Sequence, residues 1–180
     1  MNLSDANAAE LLTLAKQFQV GSYWFGRRGR GGPAYWDLWN FLGDRGAMPR
    51  SLERGHPPAH LGSVDLKYVN LTSRSGPALE AAYQGRRILL IPPARSLKAH
   101  DLPVMAEPPE VLVIPAKLGD PKERNSVLER LKPQQVIVYG DPGDWRAPRN
   151  PWPIPCRFTR DGAVSVFLAA AGITTRQWQQ

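Results

Sequence analysis

Three histidines, one cysteine and one arginine-rich loop are the places in this chain where residue type and spacing suit chemistry. His56 and His60 stand four apart, the interval that sets two ligands on one face of a helix. Pro57 and Pro58 lie between them, and proline in a helix interior removes a hydrogen bond and clashes with the preceding turn. The pair therefore belongs to a loop, where solvated histidines are the plainer expectation. His100 and Asp101 carry the groups of a catalytic dyad, but adjacent side chains seldom face each other. No Gly-x-Ser-x-Gly nucleophile elbow is present. Cys156 is the only cysteine, so the chain forms no internal disulfide and no cysteine cluster for zinc. Between Pro155 and Arg157 it suits a small core residue better than a nucleophile.

The loop "FGRRGRGG" is the best binding candidate. Arg27, Arg28 and Arg30 are concentrated in it, with Tyr23, Trp24, Tyr35 and Trp36 on either side. Arginines pair with phosphates, and aromatic faces stack on unpaired bases. The Gly-Lys-Ser/Thr ending of a nucleotide-binding P-loop is absent. The plainer alternative is a solvated turn with Trp24 and Trp36 in the core. Lys117 joins the arginines as a candidate nucleic-acid contact, and Arg86, Arg87, Lys122, Arg124, Arg146 and Arg149 add scattered charge. The Pro-rich stretch "DPGDWRAPRNPWP", with two tryptophans, suits a loop.

The whole chain agrees with a nucleic-acid or acidic-surface partner. It has 180 residues, a net charge of +7 and 42% hydrophobic residues. That length suits a single domain spanning 1–180, and that composition belongs to a globular protein rather than a disordered one. The positive excess favours polyanions, although a generally basic surface gives the same number. The apolar run "VSVFLAAAGI" falls far short of the ~20 residues of a membrane-spanning helix, and the basic leader of a signal peptide is not seen near Asp5 and Glu10. The chain as it stands is expected to be soluble.

Local patterns set the elements that would position these groups. A first helix is expected from Ser4 as N-cap to about Gln17, burying Ala8, Leu11, Leu12, Ala15 and Phe18. "VGSYWF" is a short strand, and "PAYWDLWNFLGDRG" a second helix with Pro33 in its first turn and Gly46 past its end. "HLGSVDLKYVNL" alternates like a strand, and "PALEAAYQG" with "RRILLIPP" forms a hairpin about Gln84-Gly85. "SLKAHDL" suits a short helix. "EVLVIPA", "PKERNSVLERLKP" and "QQVIVYG" give strand, helix and strand, which argues for an α/β layer. "CRFT", "GAVSVFLAA" and "ITTRQW" close the chain as β segments.

These landmarks, in this order, resemble the C-terminal metallo-β-lactamase-like domain of ComEC-type competence proteins, bacterial inner-membrane proteins of DNA internalisation. The resemblance covers nearly the whole chain but only the later part of the family domain, without its opening strands. It implies an α/β layered sandwich of the αββα type, lacking the N-terminal strands. The family's first metal motif, His-x-Asp-x-Asp-His, falls on Leu3-Ser4-Asp5-Ala6-Asn7-Ala8, where only Asp5 matches. Its Leu-Leu-x-Gly-Asp falls on Leu89 to Pro93, with Pro93 in place of the bridging aspartate. Its Val-Pro-His-His-Gly-Ser falls on Ile114 to Gly119, with Ala116 and Lys117 in place of the histidines. The closing Gly-Ala-Val-x-Val is kept in "TRDGAVSVF".

A two-metal hydrolase needs imidazoles and carboxylates to hold its ions and acidify a bound water. Leu3, Ala8, Pro93 and Ala116 offer no donor atom, and Asn7 is a poor substitute for a carboxylate. What the resemblance implies is therefore a degenerate site at Leu3, Asp5, Asn7, Ala8, Pro93 and Ala116, with no cofactor, no catalytic residue and an expectation against enzymatic activity. A binding or structural role in DNA uptake follows, with weak electrostatic binding of DNA and contact with a membrane channel portion of the same system at the inner membrane. The alternatives are a metal-dependent nuclease or phosphodiesterase with ligands elsewhere in the chain, and a small interaction module or gene fragment without its own activity.

Overall fold

In the computed structural model, residues 5–18, 20, 22–25, 31–51, 59–69, 71, 78–92, 98–102, 105, 107–116, 121–140 and 154–178 are described. The chain divides into two compact units, Met1–Pro57 and Pro58–Gln180.

The first unit contains helix α1 (Asp5–Gln17), strand β1 (Ser22–Phe25), helix α2 (Pro33–Asp44) and strand β2 (Met48–Ser51). Pro33 fits the first turn of α2, where its missing N–H has no partner to lose. Gly46 follows the end with a positive φ of 71°, and its N–H bonds to the Gly43 carbonyl. Strands β1 and β2 pair in parallel, Ser22 opposite Met48, with α2 as the crossover between them. The core joins Ala8 and Ala15 of α1 to Tyr35, Leu38 and Leu42 of α2, with Tyr23 and Trp39 edge to face at 5.1 Å. The expected burial of α1 needs correction. Ala8 and Ala15 are buried and Leu12 is half-buried, but Leu11 is exposed and Phe18 is 63% exposed. The helix turns its small residues toward α2, so that the two backbones come close, and leaves its bulky stripe outside.

The second unit is a layered α/β structure. Strands β3 (Ala59–Leu61), β4 (Val64–Val69), β5 (Ala78–Tyr83), β6 (Arg86–Leu90), β7 (Val111–Pro115), β8 (Gln135–Tyr139) and β9 (Cys156–Phe158) form one seven-stranded sheet in that order. Pairing is antiparallel from β3 to β6 and parallel from β6 to β9. The hairpin at Gln84-Gly85 is as expected. Both residues have positive φ, 48° and 80°, which matches the twist of the flanking strands. Helix α3 (Pro121–Leu131) links β7 to β8. Among the described residues of "SLKAHDL" there is a 3-10 turn, Ala99–Asp101, closed by the Asp101 carboxylate accepting from the Lys98 N–H.

Alternation decides the two faces of this sheet. Ala78, Leu89, Leu112, Ile114, Val136 and Val138 share one face and are buried with Val127, Leu128 and Leu131 of α3. On the other face lies a hairpin of β10 (Ala163–Ala169) and β11 (Gly172–Trp178). It is tied down by polar side chains. Arg157 Nε donates to Thr175 Oγ1 at 2.8 Å, Thr175 donates to Gln135 Oε1 at 2.8 Å, and Gln177 Nε2 donates to the Phe158 carbonyl at 3.0 Å. The layers are thus helix, sheet and hairpin. None of the helices among the described residues is long and apolar enough to cross a membrane.

Candidate functional site

Ligands of open α/β sheets bind beyond the carboxyl ends of parallel strands, so the ends of β6, β7 and β8 are the place to look first. The described residues there are Ile91 and Pro92 after β6, Ala116 after β7 and Gly140 after β8. Their backbone is already committed. The Ile91 N–H bonds to the Val113 carbonyl at 2.8 Å, and the Ala116 N–H to the Tyr139 carbonyl at 2.8 Å. The Gly140 N–H reaches Thr159 Oγ1 at 3.3 Å. The Tyr139 hydroxyl donates to the Ile91 carbonyl at 3.0 Å, linking the end of β8 to that of β6. None of these four strand-end residues brings an imidazole or a carboxylate.

The positions expected to have held a metal fall in both units. In the first, Asp5 opens α1, Asn7 is exposed, and Ala8 is fully buried in the apolar cluster with Tyr35 and Leu38. In the second, Ala116 is buried in the main core beside Ile114. A methyl group packed among apolar side chains is no metal ligand, so these residues do not fit a two-metal centre. Among the described residues there is no group of three or more His, Cys, Asp or Glu that could hold a metal ion. Leu3 and Pro93 lie outside the described residues, as do Arg27, Arg28, Arg30 and Lys117.

The scattered basic residues have more definite places than their spacing suggests. Arg86 pairs with Glu110 at 2.9 Å and also donates to the Ala170 carbonyl at 3.2 Å, fastening the β10–β11 turn. Arg87 sits between Glu107 at 3.0 Å and Glu80 at 3.7 Å. Arg124, expected as surface charge, is buried on α3. His60, expected in a loop, lies on β3 and pairs across strands with Asp65 at 2.6 Å on an exposed edge, while His56 lies outside the described residues; His100 lies 3.7 Å from Asp101.

Two part-buried groups report on the sheet directly. Burial pushes the Tyr139 hydroxyl from its usual 10.0 up to about 12, and the Cys156 thiol from 9.0 to about 12. Cys156 is part-buried and packs against the main core cluster. The folded state holds both protons more tightly than the unfolded chain does. The associated stability is complete below the unfolded values and is lost as pH rises through the folded ones. The urea midpoint should therefore stay level up to pH 9 and fall between pH 9 and 12. Tyr139→Phe and Cys156→Ala should each flatten that fall. A midpoint that is level through the window, or variants that follow the parent curve, would contradict the assignment.

One arrangement escaped the linear motifs. On the outward face of the β10–β11 hairpin, Ala163 lies opposite Trp178, Ser165 opposite Arg176, and Phe167 opposite Thr174. The Arg176 guanidinium lies 3.9 Å from the centroid of the Trp178 ring. The Trp178 indole N–H donates to Ser165 Oγ at 3.0 Å. The signal in the sequence is the alternation Thr174, Arg176, Trp178 against Phe167, which acquires meaning only with the register.

Comparison by sequence finds no matching protein family and no matching curated protein. Among solved structures, the chain is similar to the metallo-β-lactamase fold protein YhfI from Bacillus subtilis, at 8% identity and a TM-score of 0.44 over 74% of this chain and 58% of that one. It is also similar to a protein described as a Zn-dependent hydrolase of the metallo-β-lactamase superfamily from Thermotoga maritima, at 14% identity and a TM-score of 0.35 over 51% of this chain. A third likeness is to a protein described as a metal-dependent hydrolase from Parabacteroides distasonis, at 12% identity and a TM-score of 0.46 over 77% of this chain and 75% of that one. The chain spans 58% and 50% of the length of the first two.

Proposed function

We propose that this chain is a non-catalytic domain of the metallo-β-lactamase type that binds DNA through charge, in the service of a ComEC-like DNA-uptake system. The observation that carries the non-catalytic part is the pair Ala8 and Ala116. At positions where the resemblance requires metal-binding imidazoles, each places a methyl group inside an apolar cluster. The binding part rests on the net charge of +7 and on Arg27, Arg28, Arg30 and Lys117 as phosphate contacts. A membrane-embedded channel portion of the same system is the companion partner. One experiment tests both parts, with a fluorescent single strand titrated against rising salt in the presence of zinc or manganese. The strand should stay intact, and the three arginines should contribute roughly −2 to the log–log salt slope, at ~0.7 per phosphate contact on single strands. Replacing the three arginines by alanine should flatten the slope and weaken binding to all sequences alike. Metal-dependent cleavage would overturn the non-catalytic part in favour of a nuclease. Absence of binding at low salt, or a slope unchanged in the triple variant, would overturn the binding part.

A further inference from the structure

The hairpin face described above is built differently from an ordinary exposed strand pair. Its aliphatic residues Val164, Val166, Leu168 and Ile173 all belong to the inward set, by alternation and by their lesser exposure. The outward set is Ala163, Ser165, Phe167, Ala169, Thr174, Arg176 and Trp178. Its large apolar groups are both aromatic, its only charge is positive, and it contains no carboxylate. Phe167 is 52% exposed and Trp178 44% exposed. Arg176 stands between them: it stacks on Trp178 along β11 and is the diagonal cross-strand neighbour of Phe167. Trp178 is also fixed in orientation, because its N–H is held by Ser165.

We propose that this row, Phe167, Arg176 and Trp178, is a stacking platform for the unpaired bases of single-stranded nucleic acid. Every base has a π-face, so rings held outward on a rigid hairpin receive bases without regard to sequence. Arg176 contributes a guanidinium that is already stacked and can take a phosphate or a further base plane. Rings and an arginine also suit a protein partner; the single charge of the row, positive and without a carboxylate beside it, is what favours the polyanion. A duplex fits poorly because its bases are already stacked and paired. The net charge of +7 supplies the general attraction that brings a polyanion to such a face.

The inference rests on the nucleic-acid reading above and adds base contact to it, so the test compares strands with equal phosphates. A labelled oligothymidine of about 15 nucleotides and an abasic strand of the same length are titrated with the full chain at one salt concentration. The base-bearing strand should bind roughly five- to thirtyfold more tightly than the abasic one. Phe167→Ala and Trp178→Ala should each reduce that ratio several-fold, while leaving abasic affinity and the salt slope unchanged. Trp178→Phe keeps a ring and should retain most of the ratio; its loss there would assign the effect to the Ser165 hydrogen bond and overturn the stacking role. Equal affinity for the two strands overturns the platform but leaves charge-driven binding standing. Absence of binding to either strand overturns both.

Discussion

Leu112→Ala should cost about 3–4 kcal/mol of unfolding free energy, among the largest effects of any single truncation in this chain. Leu112 is fully buried on β7, with Leu89 of β6 opposite it on one side and Val136 of β8 on the other. It belongs to the same core cluster as Val127, Leu128 and Leu131 of α3. Strands on both sides hold the backbone in place, so the sheet has little freedom to collapse into the space left by the lost methyl groups. The cost is then the transfer term plus most of the cavity term. Leu66→Ala provides the contrast, because Leu66 is half-buried on the opposite face of β4, and should cost about 1 kcal/mol. Urea denaturation followed by circular dichroism measures both. Equal losses in the two variants would mean that the helix-covered face is not the dominant core.

Much of this architecture is legible in the residues, and what is not has a physical reason. The β5–β6 hairpin is visible because Gln84-Gly85 supplies the two positive-φ positions of a tight turn between alternating strands. β7 and β8 are visible as short apolar runs on either side of a helix that starts at Pro121. The strands "MPRS" and "AHL" are not visible. Each is too short to show a period, and they are strands because β1 and β4 pair with them. The orientation of α1 is not visible either. Its apolar sector is wide enough to bury either Ala8 and Ala15 or Leu11 and Phe18, and the approach of α2 selects the first pair. At Ala8 and Ala116 the residue type is legible without the fold, since a methyl group donates to no metal wherever it lies. The row of Phe167, Arg176 and Trp178 depends on register. A shift of one residue between β10 and β11 would separate the two aromatics onto opposite faces.

Glu80 supplies the second large effect, and its direction of asymmetry is the informative part. The Glu80 side chain is 2% exposed on the core side of β5. It accepts from Lys67 at 3.0 Å and lies 3.7 Å from Arg87. Leu89 lies opposite on β6, so the carboxylate sits where an aliphatic side chain would ordinarily be. Its charge is tolerable only with a cation beside it, because a buried carboxylate without partners loses its hydration for no return. The two cations are differently placed: Lys67 is about half exposed, while Arg87 is mostly buried and also pairs with Glu107. Removing Lys67 leaves Arg87 as the cation facing Glu80, and a side chain that is about half exposed leaves little buried space behind. Lys67→Ala should therefore cost about 1–2 kcal/mol, more than an exposed ion pair because the carboxylate end is buried, and less than a fully buried pair because Arg87 remains. Glu80→Ala leaves the Arg87 guanidinium part-buried with only Glu107, and it opens a space beside Leu89. It should cost about 3 kcal/mol, the low end for breaking a buried pair, because Lys67 recovers its hydration. The order of the two losses is the test in urea denaturation. A Lys67→Ala loss as large as that of Glu80→Ala would place the lysine, rather than the arginine, as the group that keeps this carboxylate in the core.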